Sequence, residues 1–162
     1  MVVTCEVSDA EGMQNLGERI AAIVTSGDIV VLTGPLGAGK TTLTQGIARG
    51  LNVSGSITSP TFVVSRIHDN AAHGPSLIHV DAYRLRGIHD FADLDIEQLA
   101  NTVVVVEWGE EFIADLADSW LSITINREDD NDDDPAGGVR QVALVTHGPR
   151  WLGRDISVVA HA

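Results

Sequence analysis

Lysine is nearly missing from this chain: it occurs once, at Lys40, and every other basic residue is an arginine. Cysteine also occurs once, at Cys5, which excludes an internal disulfide and is compatible with a reducing cytoplasm. Basic residues as a class are scarce, ten against 23 acids, for a formal charge of −13. A surface that acidic repels a phosphate backbone and argues against independent, tight nucleic-acid binding. Long apolar runs are absent too. The stretches 29–32 and 103–106 fall far short of the ~20 residues that span a bilayer. The start lacks a basic segment followed by an apolar one, so neither a membrane association nor a signal peptide is expected, and the expected location is cytoplasmic.

What is present supports a folded protein. Hydrophobic residues make up 44% of 162, enough for a core and more than a disordered chain carries. That length predicts a single domain over 1–162. Six acids crowd into Glu128-Asp129-Asp130-Asn131-Asp132-Asp133-Asp134. The run lacks the glycine and final glutamate of an EF-hand, so 128–138 reads as a solvated, mobile loop.

The strongest pattern is Gly34-Pro35-Leu36-Gly37-Ala38-Gly39-Lys40-Thr41, after the apolar Ile29-Val30-Val31-Leu32 and before Thr42-Leu43-Thr44-Gln45-Gly46-Ile47-Ala48-Arg49. It fits Gly-x-x-x-x-Gly-Lys-[Ser/Thr], the phosphate-binding P-loop, in the strand–loop–helix context that motif requires. Gly37 and Gly39 let the backbone turn so that several N–H groups point inward, and the new helix adds the positive end of its dipole. Lys40 then places a point charge on the terminal phosphates, and the Thr41 hydroxyl suits Mg²⁺. A chain that avoids lysine elsewhere keeps one here because arginine's planar fork is not an equivalent of an ammonium.

Around this loop, Ser8-Asp9-Ala10-Glu11 reads as a capping box with Ser8 as N-cap. Met13, Leu16, Ile20, Ile23 and Val24 follow at helical spacing, in a helix that Gly27 should end. Residues 28–33 read as a buried strand and 40–49 as a helix closed by Gly50. Thr58-Ser59-Pro60-Thr61-Phe62-Val63-Val64 is a proline-fixed turn before a strand, and its threonines equally suit a segment that closes over a γ-phosphate. His68, His73 and His79 lack the acid or cysteine spacing of a metal site. Leu77-Ile78-His79-Val80-Asp81 and Val103-Val104-Val105-Val106-Glu107-Trp108 each end an apolar strand in a carboxylate, as the strand serving magnesium in P-loop proteins does. An acidic, helical connection through Phe91, Leu94, Ile96 and Leu99 joins them. Residues 110–117 form a short helix, and 121–126 with 140–146 an antiparallel hairpin. The tail 148–162 carries no signal. The predicted class is α/β: a P-loop NTPase sandwich with a partly mixed sheet and a C-terminal antiparallel hairpin.

The P-loop with Thr42, then Ser59-Pro60-Thr61-Phe62, His79-Val80-Asp81-Ala82-Tyr83-Arg84-Leu85 and Val106-Glu107-Trp108, in this order and at these separations, closely resembles the bacterial TsaE (YjeE) family. The likeness extends from the first helix to about Trp108. It implies a cytoplasmic P-loop ATPase that binds ATP and Mg²⁺ and acts with the partner proteins TsaD and TsaB in making threonylcarbamoyladenosine in tRNA. The transfer chemistry then belongs to TsaD, tRNA is met only through the complex, and hydrolysis resets the complex between cycles. Carried over by position, Gly37, Ala38, Gly39, Lys40, Thr41 and Thr42 hold the phosphates, Thr41 and Glu107 ligate the magnesium, Thr61 is the switch threonine and Asp81 a second required acid. Residues 8–10, with Ala10, border the adenine. The chain departs from the pattern at Pro35, where an acid is frequent, across 87–100, and in the acidic loop.

Phosphoryl transfer needs charge stabilisation and an aligned nucleophile. Lys40, the loop amides and Mg²⁺ suit the first, and Asp81 or Thr61 the second; nothing serves as an internal arginine finger, so hydrolysis should be slow without partners. A small-molecule kinase would need an acceptor pocket and an arginine-bearing lid, for which only Tyr83-Arg84-Leu85-Arg86 could be argued. A GTPase would need a second lysine in Asn-Lys-x-Asp. A nucleotide-gated binding module without catalysis predicts that Glu107→Gln keeps function.

Overall fold

In a computed structural model, residues 1–60, 64–85, 89, 101–127 and 138–160 are described. Seven strands, β1 (Val2–Val7), β2 (Ile29–Thr33), β3 (Ser65–His68), β4 (Ser76–Asp81), β5 (Thr102–Glu107), β6 (Trp120–Arg127) and β7 (Arg140–His147), make one sheet in the order β1-β7-β6-β2-β5-β4-β3. The central four, β6, β2, β5 and β4, are parallel, and β3, β7 and β1 join antiparallel. The sheet is therefore mixed and ends in the expected hairpin, β6 against β7.

Three α-helices are found among the described residues: α1 (Ala10–Ala21), α2 (Lys40–Leu51) and α3 (Glu110–Leu116). Leu32, Val105 and Ile123 point to α1 and α2, while Val31, Val104 and Val106 meet Ile113 of α3. Covered on both faces, β5 needs apolar residues at successive positions, which explains its four-valine run.

The two helices on the first face lie unusually close. A Cβ added to Gly46 would sit 2.1 Å from the Gln14 carbonyl oxygen, and one on Gly17 2.5 Å from that of Leu43. Only glycine permits such an approach. The same requirement corrects the expected helix end at Gly50, where a Cβ would meet that of Ala21 at 2.5 Å. Gly50 serves helix contact, α2 continues through buried Leu51, and Asn52 closes it at φ 58°.

Other boundaries also move. The N-cap of α1 is Asp9, not Ser8; its Oδ1 accepts from the Gly12 N–H at 2.7 Å. The helix stops at Ala21, short of Gly27, because the Asp28 carboxylate takes the Thr25 N–H at 2.7 Å and draws the chain into a turn. Val64, at φ 68°, precedes β3 and does not belong to it. Edge strand β1 was not expected, and neither was structure in the tail, which buries Trp151, Ile156 and Val159 in the first core. Thr61, the helical connection through Phe91 to Leu99 and the acidic loop lie outside the described residues.

Candidate functional site

The loop after β2 leaves the C-terminal edge of the parallel strands, where ligands bind in open α/β sheets. Gly37 at φ 77° and Gly39 at φ 111° adopt left-handed conformations that a side chain would strain, and Gly39 is the N-cap of α2. Between this loop and the ends of β4 and β5 lies a cleft of about 470 Å³, lined by Gly37, Gly39, Lys40, Thr41, Thr42 and Ser59 on one side and by Asp81, Tyr83, Glu107 and Trp108 on the other.

Lys40 is buried. Its ammonium donates to the Gly34 and Pro35 carbonyls at 2.8 and 3.1 Å and stands 4.3 Å from the centre of the Trp108 ring. Burial pushes its pKa down, and the Glu107 and Asp81 carboxylates only partly offset this. Parallel pairing of β4 with β5 sets Asp81 directly beside Glu107. Asp81 also caps the following turn, with Oδ1 accepting from the Tyr83 N–H at 3.0 Å.

Glu107 Oε1 lies 3.4 Å from the Thr41 hydroxyl and 2.8 Å from His79 Nε2. The first distance is long for a hydroxyl–carboxylate bond but suits two oxygens on one small cation. Adjacent ligands of an octahedral Mg²⁺ at about 2.1 Å are themselves about 3 Å apart, and that ion favours one or two carboxylates with phosphates completing its shell. The donor set therefore fits magnesium.

Lys40, Asp81, Glu107, Thr41, Thr42, Gly37 and Gly39 are thus brought together. Ala38 contributes loop backbone while its methyl is buried in the core beneath. Ala10, exposed in the first turn of α1, is not among the cleft-lining residues, and Thr61 is not described. Trp108, Tyr83 and Ser59 also line the cleft and His79 meets Glu107, although no local pattern of its own marks any of the four for a site role. Trp108 and Tyr83, whose rings are tilted at 5.7 Å, follow the two strand-end acids, and that position was the available signal. Among the described residues no group of three His, Cys, Asp or Glu could hold a metal. No helix among them is long and apolar enough to cross a membrane.

The family model for "Threonylcarbamoyl adenosine biosynthesis protein TsaE" matches residues 7–135. The chain belongs to the TsaE family. TsaE relatives include proteins named tRNA threonylcarbamoyladenosine biosynthesis protein TsaE from Streptomyces coelicolor, 47% identical over 91% of this chain and 99% of the relative, and from Mycobacterium tuberculosis, 43% identical over 80% and 82%. The Bacillus subtilis TsaE is 33% identical over 87% and 84%. Among solved structures, B. subtilis YdiB superposes with a TM-score of 0.69 at 26% identity, covering 93% of this chain and 88% of that one. The family's role is in tRNA threonylcarbamoyladenosine biosynthesis, and its fold is the P-loop nucleotide-binding fold.

Proposed function

We propose that this chain is the Mg²⁺-dependent, ATP-binding and ATP-hydrolysing component of the system that forms threonylcarbamoyladenosine in tRNA, acting in the cytoplasm with TsaD and TsaB. The observation that carries this reading is the convergence of the Lys40 ammonium, the Thr41–Glu107 oxygen pair and Asp81 in one cleft at a helix N-terminus. A triphosphate entering there would exchange the Gly34 and Pro35 carbonyls for phosphate oxygens as partners of Lys40, a stronger, charge-assisted set.

In this reading the amides of residues 37–42 and the Lys40 ammonium neutralise charge that builds on the departing ADP oxygen as water attacks the γ-phosphorus. Bound Mg²⁺, held by Thr41 and Glu107, would supply further charge stabilisation at the phosphates. Orienting the water falls to Asp81 or Thr61. No arginine is among the described residues that line the cleft, so no internal arginine finger adds to the Lys40 ammonium, and hydrolysis is slow until partners engage.

The test separates nucleotide from partners. ATP binding and phosphate release are measured with Mg²⁺ for the chain alone and with TsaD and TsaB added, and GTP is offered as competitor. Saturable ATP binding, preference over GTP and stimulation by the partners support the reading. An empty cleft at millimolar nucleotide would sink it, and phosphate passed to a metabolite in place of water would make the protein a kinase.

A further inference from the structure

We propose that His79 is a positioning residue whose ring holds the Glu107 carboxylate toward Thr41, so that the metal site is set before nucleotide arrives. This rests on the reading of Thr41 and Glu107 as the magnesium ligands.

His79 sits on β4 two residues before Asp81 and therefore on the same sheet face, opposite Val105 of β5. That face otherwise buries Leu77, Val103 and Val105. The imidazole is fully buried, with Nε2 2.8 Å from Glu107 Oε1 and Nδ1 without a hydrogen-bond partner among the described residues. An ionised carboxylate only accepts, so the proton in this bond is carried by Nε2. Leaving a polar nitrogen unpaired in a core costs stability that a leucine here would not. Packing therefore does not account for a histidine at this position, whereas holding Glu107 does.

The consequence lies in the freedom of the acid. A glutamate has three side-chain torsions, and the Thr41 contact at 3.4 Å is too long to restrain them alone. The bond from His79 fixes Oε1 from the buried side of the carboxylate. Partners of this kind orient metal ligands, and losing one typically costs about 10–100-fold in metal affinity.

Three substitutions test this with Mn²⁺ as the probe, its affinity for the protein–ADP complex being read by electron paramagnetic resonance, alongside thermal unfolding. The amide of His79→Gln reaches the position of Nε2 and should keep Mn²⁺ affinity near wild type. His79→Leu and His79→Asn cannot reach Glu107, and each should weaken Mn²⁺ by about 10–100-fold. His79→Leu also takes a donor from the buried Glu107 carboxylate and should unfold earlier than wild type; if it does not fold, the contrast between Asn and Gln carries the same information. Wild-type Mn²⁺ affinity in the Leu or Asn variant, or equal loss in Gln and Asn, overturns the inference. Glu107→Gln serves as the control: unchanged Mn²⁺ affinity there would overturn the metal-site reading itself, and with it this proposal.

Discussion

The two ends of β2 handle buried charge in opposite ways. Before its first residue, fully buried Asp28 meets Arg150 Nε and Arg154 Nη1, each at 2.6 Å, and the Thr25 N–H at 2.7 Å. Past its last residue, two buried carboxylates, Asp81 and Glu107, act on the single ammonium of Lys40. At the first end two cations converge on one acid, and at the second two acids act on one ammonium. The first arrangement is electrostatically closed and ties the C-terminal tail to the sheet. The second is complementary to a metal-bound polyphosphate, which adds both a cation and an anion where each is needed.

Removing the central cation of the open end should have the largest effect. Lys40→Ala is expected to lower ATP turnover by about 10²–10³-fold, as loss of one transition-state donor commonly does. Thermal unfolding should stay near wild type, since the ammonium is held against its desolvation cost. Unchanged turnover would make the two ends alike.

At the closed end, Asp28→Ala should cost about 1–3 kcal/mol by removing the carboxylate on which the two partly exposed arginines and the Thr25 N–H converge, while ATP affinity with Mg²⁺ stays as in wild type. Urea unfolding and calorimetric titration read the two quantities, and a coupled loss of affinity would dissolve the comparison. The pH dependence sharpens it further. Burial raises the Asp28 pKa, but the bonds from Arg154, Arg150 and Thr25 outweigh this and hold it below the ordinary value. Its contribution is therefore fully present above the unfolded pKa of about 3.9 and is lost as pH falls through the lower folded value. The stability gap between wild type and Asp28→Asn should accordingly persist at pH 7 and narrow below about pH 4.

Gly46→Ala probes the support beneath both ends. Its methyl would strike the Gln14 carbonyl, so unfolding measurements should show a loss of about 1–3 kcal/mol. The smallest effect is expected at the exposed Arg49–Glu18 pair linking α2 to α1, where Glu18→Gln should change stability by no more than about 1 kcal/mol, and less at high salt.

The contrast between the two ends also marks what could be read in advance. The loop, its helix and the strand-end acids are contiguous patterns. Spacing alone assigned Lys40 and Thr41 to one turn, and two apolar runs each ended in a carboxylate suited to magnesium, but that Asp81 and Glu107 lie side by side came only from the strand pairing. Asp28 and its arginines stand 122 and 126 positions apart, and no local pattern marks such a pair. Strand β1 was missed for a similar reason, since a short edge strand with one buried residue has no periodicity strong enough to stand out. Gly50 was misjudged because a glycine near a helix end suggests a cap unless the neighbouring helix is known.

From its sequence alone, this protein's phosphate loop, the identity of its acids and the order of most of its elements were determined, because each depends on residues within a few positions of one another. Tertiary structure decided that His79 meets Glu107, that Trp108 lies against Lys40, and that the tail is locked by Asp28. Those contacts depend on strand order and register, which arise only when distant segments bury their apolar faces against a common sheet.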